Sequence, residues 1–193
     1  MGLSAMRLDG EDGKGGSMIL VAYASKHGST AEIARRIAER LSERGHEVYA
    51  RPVNEVDVLN RPEAVVLGSA VYAGSWRKEA VAFVERHREV LARMPVWLFS
   101  SGPLGHHVED AQEQPRQLDE IRGWIAPRDH RTFFGKLDLQ ALSFGERMIV
   151  KAVNAPVGDF RDWEEIDAWA DGIDVRLGTD RAMATAAEGR TVS

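Results

Sequence analysis

Residues 18–30 read MILVAYASKHGST, and this stretch decides the fold. The apolar run 19–23 predicts a strand that is buried on both faces, because continuous apolar runs of this length are typical of parallel sheets covered by helices. A short loop of small and hydroxyl residues follows, and it leads into a helical pattern. The first N–H groups of a helix lack an internal partner and carry the positive end of its dipole, so such a loop favours an anion. We therefore expect residues 25–30 to hold a phosphate.

The loop itself excludes two familiar nucleotide motifs. It has neither the two glycines and the Lys-Ser/Thr pair of an NTP-binding P-loop nor the G-x-G-x-x-G pattern of dinucleotide sites. A simpler alternative is an ordinary helix start capped by Ser29 or Thr30, but one cap needs one hydroxyl and this loop offers three. His27 either meets a phosphate as an imidazolium or offers only its backbone N–H. The candidate cofactor-binding residues here are Ser25, Lys26, His27, Gly28, Ser29 and Thr30.

Composition and charge narrow the class of protein. The chain has 193 residues, a net charge of -5 and no cysteine. This composition predicts a single globular domain, disfavours nucleic-acid binding and excludes disulfides and cysteine nucleophiles. No apolar run approaches the roughly 20 residues of a membrane span, and residues 1–17 lack a signal-peptide core. We expect a cytoplasmic protein with a disordered tail over 1–17, a domain over 18–176 and a flexible tail over 177–193.

Strand and helix patterns alternate along the chain. Parallel strands joined through helices imply right-handed crossovers and a doubly wound α/β sheet. Ligands of such sheets bind beyond the carboxyl ends of the strands, where the strand order reverses. That geometry brings the loops 24–30, 69–76 and 100–107 together. The predicted strands are 19–23, 48–53, 64–67, 96–99 and 131–134, and the predicted helices are 30–44, 79–91, part of 112–124 and 162–173.

The second and third loops add further candidates. Either Tyr72 or Trp76 can stack on a flat ligand or simply pack against the next helix, and the sequence leaves both open. The adjacent pair His106 and His107 does not predict a metal site, because neighbouring residues seldom face one point and no third ligand is evident. The cofactor-binding candidates of these loops are Ser69, Ala70, Val71, Tyr72, Ala73, Gly74 and Trp76, with Ser101, Gly102, Pro103 and Leu104.

Over about residues 18–175 the chain resembles flavodoxin-fold proteins. The stretch SKHGST is similar to their FMN-phosphate loop, Ser/Thr-x-Thr-Gly-x-Thr, with His27 in place of the usual Thr. The resemblance implies a three-layer sheet of five parallel strands in the order 2-1-3-4-5. The branch that contains menaquinone-dependent protoporphyrinogen oxidase looks most similar. That closer match is carried by GSAVYAG at 68–74, GERMIVK at 145–151 and RDWEEI at 161–166.

The resemblance implies an FMN-dependent oxidoreductase acting on a small redox substrate, such as a quinone or a porphyrinogen. No catalytic side chain is expected, because the flavin itself accepts the electrons. Two alternatives keep the fold: an electron-carrier flavodoxin, and a redox protein that binds the deazaflavin coenzyme F-420. Carriers are usually acidic near the flavin, whereas the loops here contain Lys26, His27, Arg77, Lys78 and two further histidines, which favours an enzyme. A homodimer is compatible with these features.

The segment 136–160 bears on the substrate. It is nearly neutral, whereas a tetrapyrrole with propionate groups or an anionic membrane surface favours an excess of cations. Within it, residues 148–153 predict either a short amphipathic turn packed on the sheet or a contact with a quinone or a membrane. Any membrane contact is therefore expected to be peripheral at most.

Overall fold

The computed structural model describes residues 18–102, 114–152 and 156–188. The predicted tail over 1–17 lies outside them, as do Pro103, Leu104, His106 and His107. The strands are β1 (Met18–Ala24), β2 (Glu47–Pro52), β3 (Ala64–Tyr72), β4 (Ser75–Trp76), β5 (Val96–Ser101), β6 (Asp129–Phe133), β7 (Lys136–Leu137) and β8 (Gly158–Asp159). The helices are α1 (Ser29–Glu43), α2 (Lys78–Leu91), α3 (Leu118–Ile125), α4 (Phe144–Ala152) and α5 (Trp163–Glu188).

Five parallel strands form the main sheet in the order β2-β1-β3-β5-β6. In this register Leu20 lies between Tyr49 of β2 and Val65 of β3. Counted over the parallel strands alone, this is the predicted order 2-1-3-4-5, so the predicted fold is confirmed. The order reverses between β1 and β3, which places the switch point at the carboxyl end of β1.

Helices cover both faces of the sheet, and the alternation of β1 shows why its sequence is apolar throughout. Ile19 and Val21 face a core that also contains the apolar stripes of α1 and α5. Leu20 and Ala22 face the opposite core, which is closed by α2 and α3. A strand that is buried on both sides can alternate only between apolar side chains, which produces the continuous run seen in the sequence.

Helix α1 ends where its sequence predicts. Gly45 adopts a left-handed φ of 92° immediately after the helix. Its N–H donates to the carbonyl of Ser42 at 2.9 Å, and the N–H of His46 donates to the carbonyl of Leu41 at 3.2 Å. These two bonds satisfy carbonyls of the last turn, in the pattern of a Schellman motif.

Strand β3 is longer than predicted, and the loop proposed over 69–76 is mostly a hairpin. The strand continues to Tyr72, turns through Ala73 and Gly74, and pairs with β4 in an antiparallel sense. Both turn residues have positive φ, 48° and 70°, which is the type I′ geometry that matches the twist of the flanking strands. Ala is unusual at the first turn position, so this hairpin is hard to predict from its turn residues.

Helix α5 is the largest departure from the predicted elements. Asp162 caps its start, since the N–H of Glu165 donates to Asp162 Oδ1 at 3.0 Å. The predicted end near Ile173 is wrong, because the helix continues to Glu188. Leu177 extends the apolar stripe by one turn and is 1% exposed, and Arg181 forms an ion pair with Glu63. None of the described helices combines the length and apolar character needed to cross a bilayer.

Candidate functional site

A cavity of about 490 Å³ opens at the carboxyl ends of β1, β3 and β5. This volume lies within the ordinary range of small-molecule sites. Parts of all three predicted loops meet there, together with the segment between β6 and α5. The lining residues are Ser25, Lys26, His27, Ser29, Thr30, Ala70, Val71, Tyr72, Ala73, Ser101 and Gly102, with Gly135, Lys136, Leu137, Asp138, Leu142, Glu146 and Val150.

The loop after β1 leaves the start of α1 open. Gly28 is the N-cap residue, with φ 90° and ψ -26°, and no side chain caps the helix. The first helical bond runs from the N–H of Glu32 to the carbonyl of Gly28 at 2.9 Å. The simpler alternative, in which Ser29 or Thr30 caps the helix, is therefore wrong. The N–H groups of the first turn remain available to an anion.

The three hydroxyl groups of this loop differ in what they contact. Ser25 Oγ accepts a hydrogen bond from the N–H of Gly28 at 3.2 Å, which shapes the turn. Ser29 Oγ accepts one from the N–H of Lys136 at 3.0 Å and keeps its own proton to donate. Thr30 is 1% exposed and lines the cavity, and its hydroxyl forms no hydrogen bond with any other residue in the described part of the chain. The Thr30 hydroxyl is therefore available to donate a hydrogen bond to a ligand in the cavity.

The Lys26 and His27 side chains of the loop turn towards a carboxylate. Lys26 Nζ lies 2.6 Å from Glu146 Oε1, and His27 Nε2 lies 2.9 Å from the same oxygen. The hydrogen bond from Lys26, followed by those from Ser143, lowers the pKa of the Glu146 carboxyl well below its usual range. Glu146 is therefore ionised at neutral pH. The His27 side chain points to this carboxylate, so only its backbone N–H is left for a loop anion.

Helix α4 carries Glu146, and its start explains the position of that carboxylate. The N–H of Ser143 donates to Glu146 Oε2 at 2.8 Å, while the N–H of Glu146 reaches Ser143 Oγ at 3.4 Å. This reciprocal pair is a capping box, Ser-x-x-Glu. Residues 148–152 of the predicted amphipathic turn are thus part of a helix that begins at Phe144, whereas residue 153 lies outside the described residues. Val150 lines the cavity beside Glu146.

The two aromatic candidates of the second loop lie in different environments. Tyr72 lines the cavity with 44% of its surface exposed, and its ring centroid is 5.5 Å from Lys26 Nζ. Partial burial raises the pKa of the Tyr72 phenol, so the group is neutral at physiological pH. Trp76 does not line the cavity: it is buried in the core beneath α2, and its Nε1 donates to Ser100 Oγ at 2.8 Å. The sequence left two interpretations of Trp76 open, stacking on a ligand and packing within the protein, and the second is correct.

Two other candidates of this loop, Ser69 and Gly74, form hydrogen bonds with backbone groups of the protein. Ser69 is fully buried, and its hydroxyl donates to the carbonyl of Ala70 and accepts from the N–H of Arg77, both at 3.0 Å. The carbonyl of Gly74 accepts from the N–H of Arg116 at 3.0 Å. Neither Ser69 nor Gly74 lines the cavity, whereas Ala70, Val71 and Ala73 do.

The third loop contributes Ser101 and Gly102 to the cavity. A Cβ at Gly102 would lie 3.0 Å from the carbonyl oxygen of Val71, so the close approach of the two strand ends requires glycine. The predicted ring contacts of Pro103 and Leu104 lie outside the described residues. Within 18–102, 114–152 and 156–188, no three His, Cys, Asp or Glu side chains cluster as metal ligands.

A buried polar chain supports the second and third loops from behind. Ser100 Oγ accepts from Trp76 Nε1 and contacts His130 Nε2 at 2.9 Å. Burial, with a smaller contribution from Arg122, lowers the pKa of His130 to about 4. The imidazole is therefore neutral at pH 7, and the Ser100 hydroxyl donates to it. This chain fixes the ends of β4, β5 and β6.

The sequence marks the segment 136–160 as bearing on the substrate, but none of its residues was predicted to line the cofactor cavity. Ser143-x-x-Glu146 is a recognisable capping box and could have predicted α4, but nothing local shows that residue 146 meets residues 26 and 27. The residues missed in this way are Gly135, Lys136, Leu137, Asp138, Leu142, Glu146 and Val150.

Comparison with known proteins identifies related folds. A family model described as Flavodoxin domain matches residues 20–163. A flavodoxin from the domain Archaea aligns with a TM-score of 0.58 and 14% identity, over 83% of this chain and 99% of its own. Flavodoxin 2 from Bacillus cereus aligns with a TM-score of 0.56 and 21% identity, over 82% and 99%. Curated proteins provide no match.

A larger enzyme shares the same fold in one part of its chain. Rubredoxin oxygen:oxidoreductase from Desulfovibrio gigas aligns with a TM-score of 0.60 and 15% identity, over 86% of this chain. This chain spans only 37% of that enzyme's length. At such identities the likeness to solved structures establishes the fold alone.

Proposed function

We propose that this chain, which belongs to the flavodoxin domain family, binds FMN in the cavity at the carboxyl edge of its sheet and acts in electron transfer. The observation that carries this proposal is the open start of α1. Its first-turn N–H groups have no side-chain cap, and Thr30, a buried residue with a hydroxyl unpaired among the described residues, lines the same cavity. This arrangement fits a phosphate ester, which accepts several hydrogen bonds at once.

The residues present fit FMN at both of its ends. Ser29 and Thr30, with the first-turn N–H groups of α1, would hold the phosphate, while the half-exposed ring of Tyr72 would lie against the flavin. Gly28 was also predicted to bind the cofactor, but it does not line this cavity, and its N–H donates to Ser25 Oγ. Ala70 to Ala73 and Ser101 to Gly102 would border the ring, since they line the cavity beyond the loop. When bound, the cofactor supplies the transfer of electrons or hydride, and the protein binds, orients and shields it.

An oxidoreductase with a small apolar substrate is the form of this function that the cavity favours. Its outer wall includes Leu137, Leu142 and Val150, so a ligand above the flavin would meet apolar side chains. Such a wall suits a quinone. The sequence argument from loop cations is weaker in the structure, because Lys26 is paired with Glu146 and Arg77 with Glu79. The same pairing argues against the propionates of a porphyrinogen. A carrier flavodoxin needs no such wall.

A second cavity supports the deazaflavin coenzyme F-420 as an alternative ligand. It has a volume of about 310 Å³, lies on the other side of the phosphate loop and shares Ser25 with the first cavity. Its lining includes Gly28, Asn54 and Arg77. A cofactor with a phosphodiester and a further tail has room to continue there, whereas FMN ends at its phosphate.

Mass spectrometry of the ligand released from the purified protein tests the choice of cofactor directly. We expect FMN, and titration of the stripped protein with FMN should quench the flavin fluorescence at a one-to-one ratio. Recovery of coenzyme F-420 would select the alternative. Failure of both compounds to bind would refute the redox function.

Turnover with the loaded protein then tests the kind of function. We expect the reduced, FMN-loaded protein to be reoxidised by menadione with saturation kinetics. Reoxidation that stays linear in menadione concentration would select the electron carrier. Protoporphyrinogen oxidation above the uncatalysed rate would show that the porphyrinogen branch applies despite the pairing of Lys26 and His27.

A further inference from the structure

Glu146 contacts the phosphate loop from a distant part of the chain. A single oxygen, Oε1, receives both Lys26 Nζ and His27 Nε2, across 119 residues in the case of His27. The second oxygen, Oε2, accepts from the N–H and the hydroxyl of Ser143 at 2.8 and 2.7 Å. Both oxygens are thus engaged, and the carboxylate is fixed at the wall of the cavity.

This contact places a negative charge at a site that we assign to an anion. The phosphate of FMN is close to a dianion at neutral pH. Lys26 and the backbone of the loop would attract it, while the Glu146 carboxylate would repel it and compete for Lys26. Riboflavin lacks the phosphate and would feel neither effect.

We propose that Glu146 is a specificity-determining residue, which limits the preference of the loop for phosphorylated over unphosphorylated flavin by neutralising Lys26 and holding the His27 ring. This inference rests on the proposed flavin function. Under it the loop recognises phosphate mainly through first-turn N–H groups and hydroxyls, and the Lys26 charge contributes fully only when Glu146 is removed.

Glu146→Gln separates the charge of this residue from its structural role. Glutamine at the same position of a capping box still accepts from the N–H of Ser143, so α4 keeps its start. Lys26 and His27 lose their anionic partner. We expect the ratio of FMN affinity to riboflavin affinity to rise about tenfold, because one repulsive charge is removed and one attractive charge is released.

Asp138→Asn is the matched control. Asp138 lines the same cavity, and its carboxylate caps the N–H of Gln140, a role that Asn also performs. The substitution removes one negative charge without touching the pairs of Lys26 and His27. We expect the FMN-to-riboflavin ratio to change by less than about twofold.

A double-mutant cycle with Lys26→Met completes the test. In the Glu146→Gln background this substitution should lower the FMN-to-riboflavin ratio by about tenfold, and in the native background by much less, because the Lys26 charge is already consumed there. Fluorescence titration of both flavins into all four proteins gives the ratios.

Three results would overturn the inference. The ratio could stay the same or fall in Glu146→Gln, it could rise as much in Asp138→Asn, or Lys26→Met could have the same effect in both backgrounds. A native protein that binds neither flavin would instead refute the proposed function itself. Circular dichroism of each variant checks that the fold is intact.

Discussion

Thr30→Val tests the phosphate loop with the smallest possible change. The side chain is 1% exposed, so the isosteric valine fits the space without a cavity. Only the hydroxyl is lost, and that hydroxyl has no acceptor among the residues described here. The substitution therefore breaks no hydrogen bond among the described residues, and the melting temperature should change by less than about 2 °C.

The loss of FMN affinity follows from one hydrogen bond to a charged group. Such bonds contribute about 1.5–3 kcal/mol, which corresponds to a factor of about 10 to 150 in affinity. Because the first-turn N–H groups share the phosphate, we expect the lower half of that range, about ten- to fortyfold. Riboflavin should bind within about threefold of the native protein, since it has no phosphate to lose.

The assay is fluorescence titration of stripped protein with FMN and with riboflavin, and Thr30→Ser is its control. Serine keeps the hydroxyl on the same backbone position, so it should retain FMN affinity within about fivefold. Equal losses for FMN and riboflavin in Thr30→Val would refute the placement of the phosphate. So would a serine variant that binds as weakly as valine.

Two further predictions concern stability. Leu177→Ala should lower the free energy of unfolding by about 2–4 kcal/mol, because the side chain is 1% exposed, whereas Val175→Ala, at 66% exposed, should change it by less than about 0.5 kcal/mol; similar values in urea unfolding would mean that the domain ends before residue 177. Burial lowers the pKa of His130 to about 4, so the unfolded chain takes up this proton first and stability falls as the pH drops from about 6.5 to 4. Between pH 7.5 and pH 5 the His130→Gln variant should lose about 2 kcal/mol less stability than the native protein, and an equal loss would show that the acid sensitivity arises at other groups.

The elements that the sequence predicted well are those that leave a local pattern in the sequence. Ile19 to Tyr23 form a strand because both of its faces meet helices, and the apolar run records this directly. Gly45 ends α1 through its own backbone conformation. In both cases a few consecutive residues carry the pattern, so it can be recognised before any tertiary contact is known.

The errors have a different physical origin. Trp76 and Tyr72 are both aromatic and four residues apart, yet only Tyr72 lines the cavity. The Trp76 indole is buried in the core, where its Nε1 donates to Ser100 Oγ. The end of α5 was predicted at Ile173, whereas the helix continues beyond this residue, with Leu177 in a buried position one turn further on. Such outcomes depend on partners far away in sequence.

The departure of His27 from the usual phosphate-loop pattern is explained by the same kind of distant partner. A threonine at this position could offer a hydroxyl to the phosphate, and its replacement removes that donor. The His27 ring is instead held by Glu146, 2.9 Å away, on the wall formed by α4. The His27 side chain thus contacts the wall of the cavity, whereas a threonine hydroxyl at this position would be free to contact the proposed phosphate. His27→Thr should therefore strengthen FMN binding relative to riboflavin and weaken the attachment of α4, which hydrogen exchange of residues 144–152 would detect as faster exchange.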